Sequence, residues 1–260
     1  MRGLILQGLT QLGLFALAVT LIAAYAHAVE RWSGRIVSHH LGWNGVLVTG
    51  WLGVPLHEMA HLIFAKLFGH RIVGVAFFDP DPSTGTLGYV RHAYTKRTPW
   101  QLVGNAIIGM APLLFGGLAL LALLVWMIGL DDVTRVCHVS SRVVSDARDL
   151  RFIARDVTAV MQRLAFAVWR ERTWWLPLQL YLGICVAAHY APSRTDFAGA
   201  WQGMVTVALT VVAVVVGASA LQFPLSIPVG LVVPMAAIAV IASIFQLLWV
   251  LVAKIFADLV

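Results

Sequence analysis

Charge is scarce in this chain. Only 12% of its 260 residues are Asp, Glu, Lys or Arg, about half the share of an ordinary soluble domain. Glutamate is scarcer still, with Glu30, Glu58 and Glu171 the only three. Cysteine is nearly absent: Cys137 lies in a polar segment, Cys185 in an apolar one, and neither belongs to a CxxC pattern. A disulfide scaffold and a cysteine-based zinc module are thereby excluded. No nucleic-acid module and no interleaved basic and aromatic patch occurs. The net charge of +6 therefore points to basic loops facing the cytoplasm, with no nucleic-acid partner.

What fills the space is apolar. Sixty per cent of the residues are hydrophobic, and the mean hydropathy is +0.85. Runs long enough to enter a bilayer cover 4–29, 46–68, 102–130, 174–189, 197–221 and 229–256. The expected fold class is an all-α polytopic membrane protein with about six transmembrane helices. The first run is about 20 residues, longer than a signal-peptide core, and reads as a retained membrane helix. The chain reads as one membrane-embedded domain over 1–260, with a core at about 46–201.

Three connections stand out. In 71–94, two β-rich runs flank "DPDPSTG", whose Pro, Asp and Gly form turns, so a β-hairpin is expected. The segment 131–173 is rich in charge. Its apolar residues, from Val136 and Val139 through Val143, Leu150, Ile153, Val157 and Val160 to Leu164, recur at threes and fours. That spacing predicts a long extramembrane amphipathic helix, interrupted at Asp146, which could cover its apolar side in a homo-oligomer. The third connection is "APSRTD", a tight turn. Lys66, Arg71, Arg91, Lys96 and Arg97 cluster around the hairpin, which places it in the cytoplasm of a bacterial-type inner membrane. Six helices then put both termini on that side.

The chemistry concentrates in "HEMAH", His57 to His61. Two histidines four apart share one helix face and can grip one metal ion, typically zinc. Glu58 beside them can take a proton from zinc-activated water. Nine histidines and three glutamates in 260 residues give on the order of 0.004 such matches by chance. Ionisable groups at membrane depth are costly and usually functional; interhelical hydrogen bonding is the plainer alternative. A hydrolytic site needs a third protein ligand. No glutamate lies between Glu58 and Glu171, and the position six after His61 is Leu67. The candidates are Asp196 and His189, both in "HYAPSRTDFAGA". Asp196 could equally cap a helix, meeting a backbone N–H of Ala198 or Gly199. His189 could equally be a satisfied helix histidine, and is otherwise an alternative ligand or oxyanion donor.

With these residues the chain resembles the site-2 protease family of intramembrane zinc metalloproteases, as a divergent member. "HEMAH" matches that family's metal helix. "PSRTDFAG" is similar to its later Asp motif, with Phe197 and Ala198 between the Asp and the Gly. "GNAIIGMAPLLFGG" looks like its small-residue segment, which would turn Asn105 and Pro112 toward the cleft. The resemblance spans about 46–201. It implies a zinc-dependent endopeptidase with His57, His61 and Asp196 as ligands and Glu58 as the proton-transferring residue. Asn105 and His189 are oxyanion or cleft candidates. The implied partners are a membrane protein or peptide substrate and the lipid bilayer. The glycines at 104, 109, 116 and 117 read as sites of close helix approach. Two other classes remain open. A metal-binding membrane chaperone or scaffold would tolerate loss of Glu58. A zinc transporter would need ionisable residues along several helices, and these are almost lacking outside the two segments named.

Overall fold

A computed structural model describes residues 2–95, 98–134, 173–221 and 232–259, with 158, 162, 165–166 and 168–170 between them. The described chain is mostly helical. Its elements are α1 (Arg2–Leu67), β1 (Arg71–Ala76), β2 (Tyr89–Ala93), α2 (Pro99–Ile128), α3 (Leu176–Ala187), α4 (Arg194–Ala220) and α5 (Val232–Leu259). Helices α1, α2 and α5 are each long and apolar enough to cross a membrane. A fourth such crossing is added if α4, bent by 47° between Arg194–Trp201 and Gly203–Ala218, counts as one. Large apolar side chains such as Leu14, Leu17, Leu21, Leu209 and Leu251 stand exposed on the outside, as a lipid-facing surface requires.

Helix α1 joins the first two apolar runs into one 66-residue element. It is not straight. Gly42 has φ 60° and ψ −152°, a conformation glycine adopts without steric cost. A straight helix would set Glu30 and His57 about 40 Å apart. Both instead reach one turn, Glu30 at Ala191 and His57 at His189, so the helix folds back at Gly42 into two arms. The second arm ends in a Schellman motif, in which the N–H of His70 meets the Ala65 carbonyl and that of Gly69 the Lys66 carbonyl. Gly69 takes the left-handed conformation with φ 71°, as this motif demands.

The expected hairpin follows. Strands β1 and β2 pair antiparallel with a register shift between Ile72 and Gly74. Beyond them Asp81 bridges to Thr86. Its carboxylate accepts bonds from Ser83 and Thr84, which hold its pKa below the ordinary value.

Helix α2 is the centre of the packing. Its Leu113, Leu120, Leu124 and Met127 share a core with Ile184 of α3, Ile241 and Phe245 of α5, and Ala23 and Ala26 of α1. Contacts along α2 follow a single antiparallel register. Trp126 meets Trp175 just before α3. Gly116 packs on Tyr190, Gly109 on Asp196 and Ala200, and Gly203 on Ala106 and Leu102. Thus α3, the turn after it and the start of α4 run down α2 in one pass. The expected span at 174–189 is not confirmed, because the 12 residues of α3 reach only about 18 Å; the run at 197–221 falls in α4, the fourth crossing if its bent halves count as one. The first arm of α1 and α5 run parallel: Tyr25 bonds Ser243, Ser33 bonds Gln246, and Val37 packs with Val250 and Ala253.

Most of the expected amphipathic helix at 131–173, including all eight of its apolar positions named above, lies outside the described residues. At its described edges Arg170 Nη2 meets Asp132 Oδ2 at 2.8 Å.

Candidate metal centre

His57 and His61 project from the second arm of α1 on one face, one turn apart. Each ring is fixed by its Nδ1. His57 Nδ1 donates to the His189 carbonyl at 2.8 Å and His61 Nδ1 to the Ile108 carbonyl at 2.9 Å. A carbonyl can only accept, so the proton of each neutral ring sits on Nδ1 and the lone pair on Nε2. The two Nε2 atoms then face each other at 3.1 Å. Asp196 enters from α4, with Oδ1 at 3.2 Å from His61 Nε2 and Oδ2 at 3.5 Å from His57 Nε2.

The donor set fits a cation. Three acceptor groups converge, and all their ligand atoms lie within 4.8 Å of one another. Neutral imidazole lone pairs repel at such a distance unless something positive lies between them. Zinc–ligand bonds of about 2.0–2.1 Å in a tetrahedron imply ligand separations of about 3.3 Å, close to the three observed. Backbone carbonyls on both Nδ1 atoms are the outer support typical of metal-bound histidine. The group His57, His61 and Asp196 can therefore hold a metal ion.

Asp196 has a second job. Ser193 caps α4: its Oγ accepts from the Asp196 N–H at 3.2 Å, and Asp196 Oδ2 accepts from the Ser193 N–H at 2.6 Å. This is a reciprocal capping box. The expected cap geometry, with Asp196 reaching forward to Ala198 or Gly199, is replaced by a backward reach to Ser193. The carboxylate serves both cap and cluster: Oδ2 accepts the Ser193 N–H while lying 3.5 Å from His57, and Oδ1 faces His61. Small residues deliver it, though not against the metal helix. Ala200 packs on Gly109 of α2, while Gly199 has open space where a side chain would stand. Gly104, Gly109 and Gly116 are indeed close-approach sites; Gly117 makes only ordinary contacts.

The cluster opens into a cleft of about 510 Å³. Its walls are the hairpin from Gly85 to Val90, the α2 face at Asn105, Ile108 and Gly109, and the start of α4. Glu58 lines it together with Val90 of β2 and is 8% exposed. Asn105 lines it too, is 3% exposed, and its Nδ2 has no partner. Pro112 does not line it and is packed in the core. Nor does the His189 side chain join the cluster. Its Nε2 meets Thr49 Oγ1 at 3.1 Å, and the ring packs closely on Gly53. What His189 contributes is its carbonyl, a role no side-chain pattern can announce.

A second imidazole pair borders the cleft. His70 Nε2 donates to the Gln101 carbonyl at 3.0 Å, and the Nδ1 atoms of His70 and His92 meet at 2.9 Å. Tyr94 stacks on His70. Burial pushes both histidine pKa values down. The Gln101 carbonyl opposes the shift at His70, while the nearby charges of His70 and His61 add to it at His92. Compared with family models, curated proteins and solved structures, the chain matches none of them.

Proposed function

We propose that the protein is an intramembrane metallopeptidase, similar in mechanism to the site-2 proteases. The observation that carries this reading is the convergence of three lone-pair donors in a cleft that Glu58 also lines. A bound zinc ion would supply Lewis acidity, polarising a carbonyl and acidifying water. Glu58, one residue from the first histidine, would serve as the proton carrier, accepting a proton from water and returning it to the leaving amine. The Asn105 Nδ2, a buried donor without a partner, offers a hydrogen bond to the oxyanion that develops on the scissile carbonyl. The backbone carbonyls of His189 and Ile108 keep both imidazoles in the tautomer that leaves Nε2 free.

A membrane helix hides its carbonyls in its own hydrogen bonds, so a substrate must unwind before cleavage. Among the described residues β2 pairs only with β1, and its other edge borders the cleft. An extended peptide added along that edge would pass Glu58 at Val90.

His57 lies ten residues from the end of the second arm, about 15 Å, or about half the depth of a hydrocarbon core. The chain crosses the membrane five times in this reading: two arms of α1, α2, the α3–α4 pass, and α5. The hairpin faces the cytoplasm by its lysines and arginines.

The test is Glu58→Gln in purified protein, with zinc content and cleavage of a membrane-spanning peptide measured on one sample. The expected result is wild-type zinc, about one per chain, with cleavage lost. Cleavage at the wild-type rate would falsify the mechanism. Wild-type protein that binds the peptide and zinc without cutting would favour a scaffold.

A further inference from the structure

The turn between α3 and α4 carries two supports of the metal group. The His189 carbonyl orients His57, and the Ser193 N–H holds Asp196. The turn is dry: Tyr190 and Ala191 are at most 2% exposed, and Pro192 is fully buried. Its peptide groups therefore need protein partners. Two come from the first arm of α1, more than 25 residues upstream of His57. Glu30 Oε2 accepts from the Ala191 N–H at 2.9 Å. His27 Nδ1 lies 3.0 Å from the Pro192 carbonyl, and must donate there because the carbonyl cannot. Glu30 and His27 are three apart and share a helix face. One reads a donor and the other an acceptor on consecutive residues, which fixes both the place and the tilt of the turn.

We propose that Glu30 and His27 are positioning residues for the metal centre, acting through the 189–193 turn on both His57 and Asp196. This rests on the metal reading of the cluster but not on proteolysis. The folding-back of α1 at Gly42 is what brings them there. A straight α1 could not place Glu30 and His27 on the turn while also presenting His57 to it.

The experiment loads the full-length protein in detergent with cobalt(II). It measures affinity, the visible d–d spectrum and thermal melting for wild type, Glu30→Leu, Glu30→Gln and His27→Ala. Partners that orient metal ligands typically contribute about 10–100-fold in metal affinity. Glu30→Leu and His27→Ala should each lower cobalt affinity by about tenfold and alter the d–d bands while the protein still melts cooperatively. Glu30→Gln keeps an acceptor oxygen and should restore both readouts. Wild-type affinity and spectrum in a folded Glu30→Leu or His27→Ala variant would overturn the proposal. If Glu30→Leu does not fold, folded His27→Ala decides by the same two readouts. Wild type that takes cobalt but cuts no peptide removes the protease reading and leaves this one in place. Wild type that takes no cobalt removes both.

Discussion

At Gly109 a single hydrogen atom sets the distance between α2 and α4. A methyl group there would stand 2.6 Å from both the Ala200 Cβ and the Asp196 carbonyl oxygen. The second contact is backbone and cannot rotate away, so α4 must shift. That shift would draw Asp196 from His61, now 3.2 Å from it. Gly109→Ala should therefore destabilise the protein by about 1–3 kcal/mol, the usual cost of overpacking, and lower its zinc content as well. Gly117→Ala is the matched control, because its nearest neighbour would lie at 3.5 Å. It should be neutral or slightly stabilising, since alanine favours helix over glycine by about 1 kcal/mol. Melting in detergent and zinc analysis on both variants decide this. Equal behaviour of the two would show that α2–α4 spacing does not govern the site. At this scale the sequence is unevenly legible. His57, Glu58 and His61 follow from helical spacing alone, because both histidines must share a face. The need for a third ligand leaves Asp196 and His189 as candidates, and only the fold groups Asp196 with the two histidines. His27 and Glu30 leave no local trace, as their partners lie 165 and 161 residues away.

Among the elements, the hairpin has a built-in response to acid. It docks on the end of α1 through the His70–His92 contact, in which one Nδ1 must donate and the other accept. One proton can be absorbed by a change of tautomer, but with both rings charged two N–H groups face each other at 2.9 Å. Both pKa values are lowered from about 6.5 by burial. An undocked hairpin would therefore bind protons as the pH falls below about 6.5, before the docked one does. The contribution to docking is fully present above that pH and is lost as the pH falls toward the lowered values. Hydrogen exchange of the β2 amides, corrected for intrinsic rates, should show protection at pH 7.5 and reduced protection at pH 5.5. His92→Phe should flatten that dependence, and unchanged protection in wild type would contradict the linkage. The hairpin itself was readable from its turn residues. The histidine pair was not, because Ile72 and His92 are register partners, and the contact is made by His70, which lies beyond β1.

On the scale of the whole molecule the apolar runs gave the lengths of the helices but not how they share the bilayer. "APSRTD" looks like an exposed loop between two spans because its residues are polar. In the fold its first residues are buried beside the metal group, and its polar side chains satisfy one another and the turn. In the five-crossing topology proposed above, two runs that sequence separates make one crossing, broken where the site needs a backbone carbonyl and a carboxylate. Irregular backbone at membrane depth is tolerated only when protein covers it, and in this topology α1 and α2 would do so. That topology predicts an odd number of crossings. Six spans would return the C-terminus to the side of the hairpin. Five leave it with the end of α2, since α5 runs parallel to the first arm of α1. Helix α2 has 30 residues, about 45 Å, so Ser83 in the hairpin and Asp131 beyond α2 should lie on opposite faces of a core about 30 Å thick. Single cysteines at Ser83, Asp131 and Asp258, with Cys137 and Cys185 replaced by serine, can be labelled with a membrane-impermeant thiol reagent. Ser83→Cys should react from the cytoplasmic face, and Asp131→Cys and Asp258→Cys only from the other. Labelling of Asp258→Cys from the same face as Ser83→Cys would restore an even count, and would mean that the turn carrying Asp196 is not held at membrane depth by this packing.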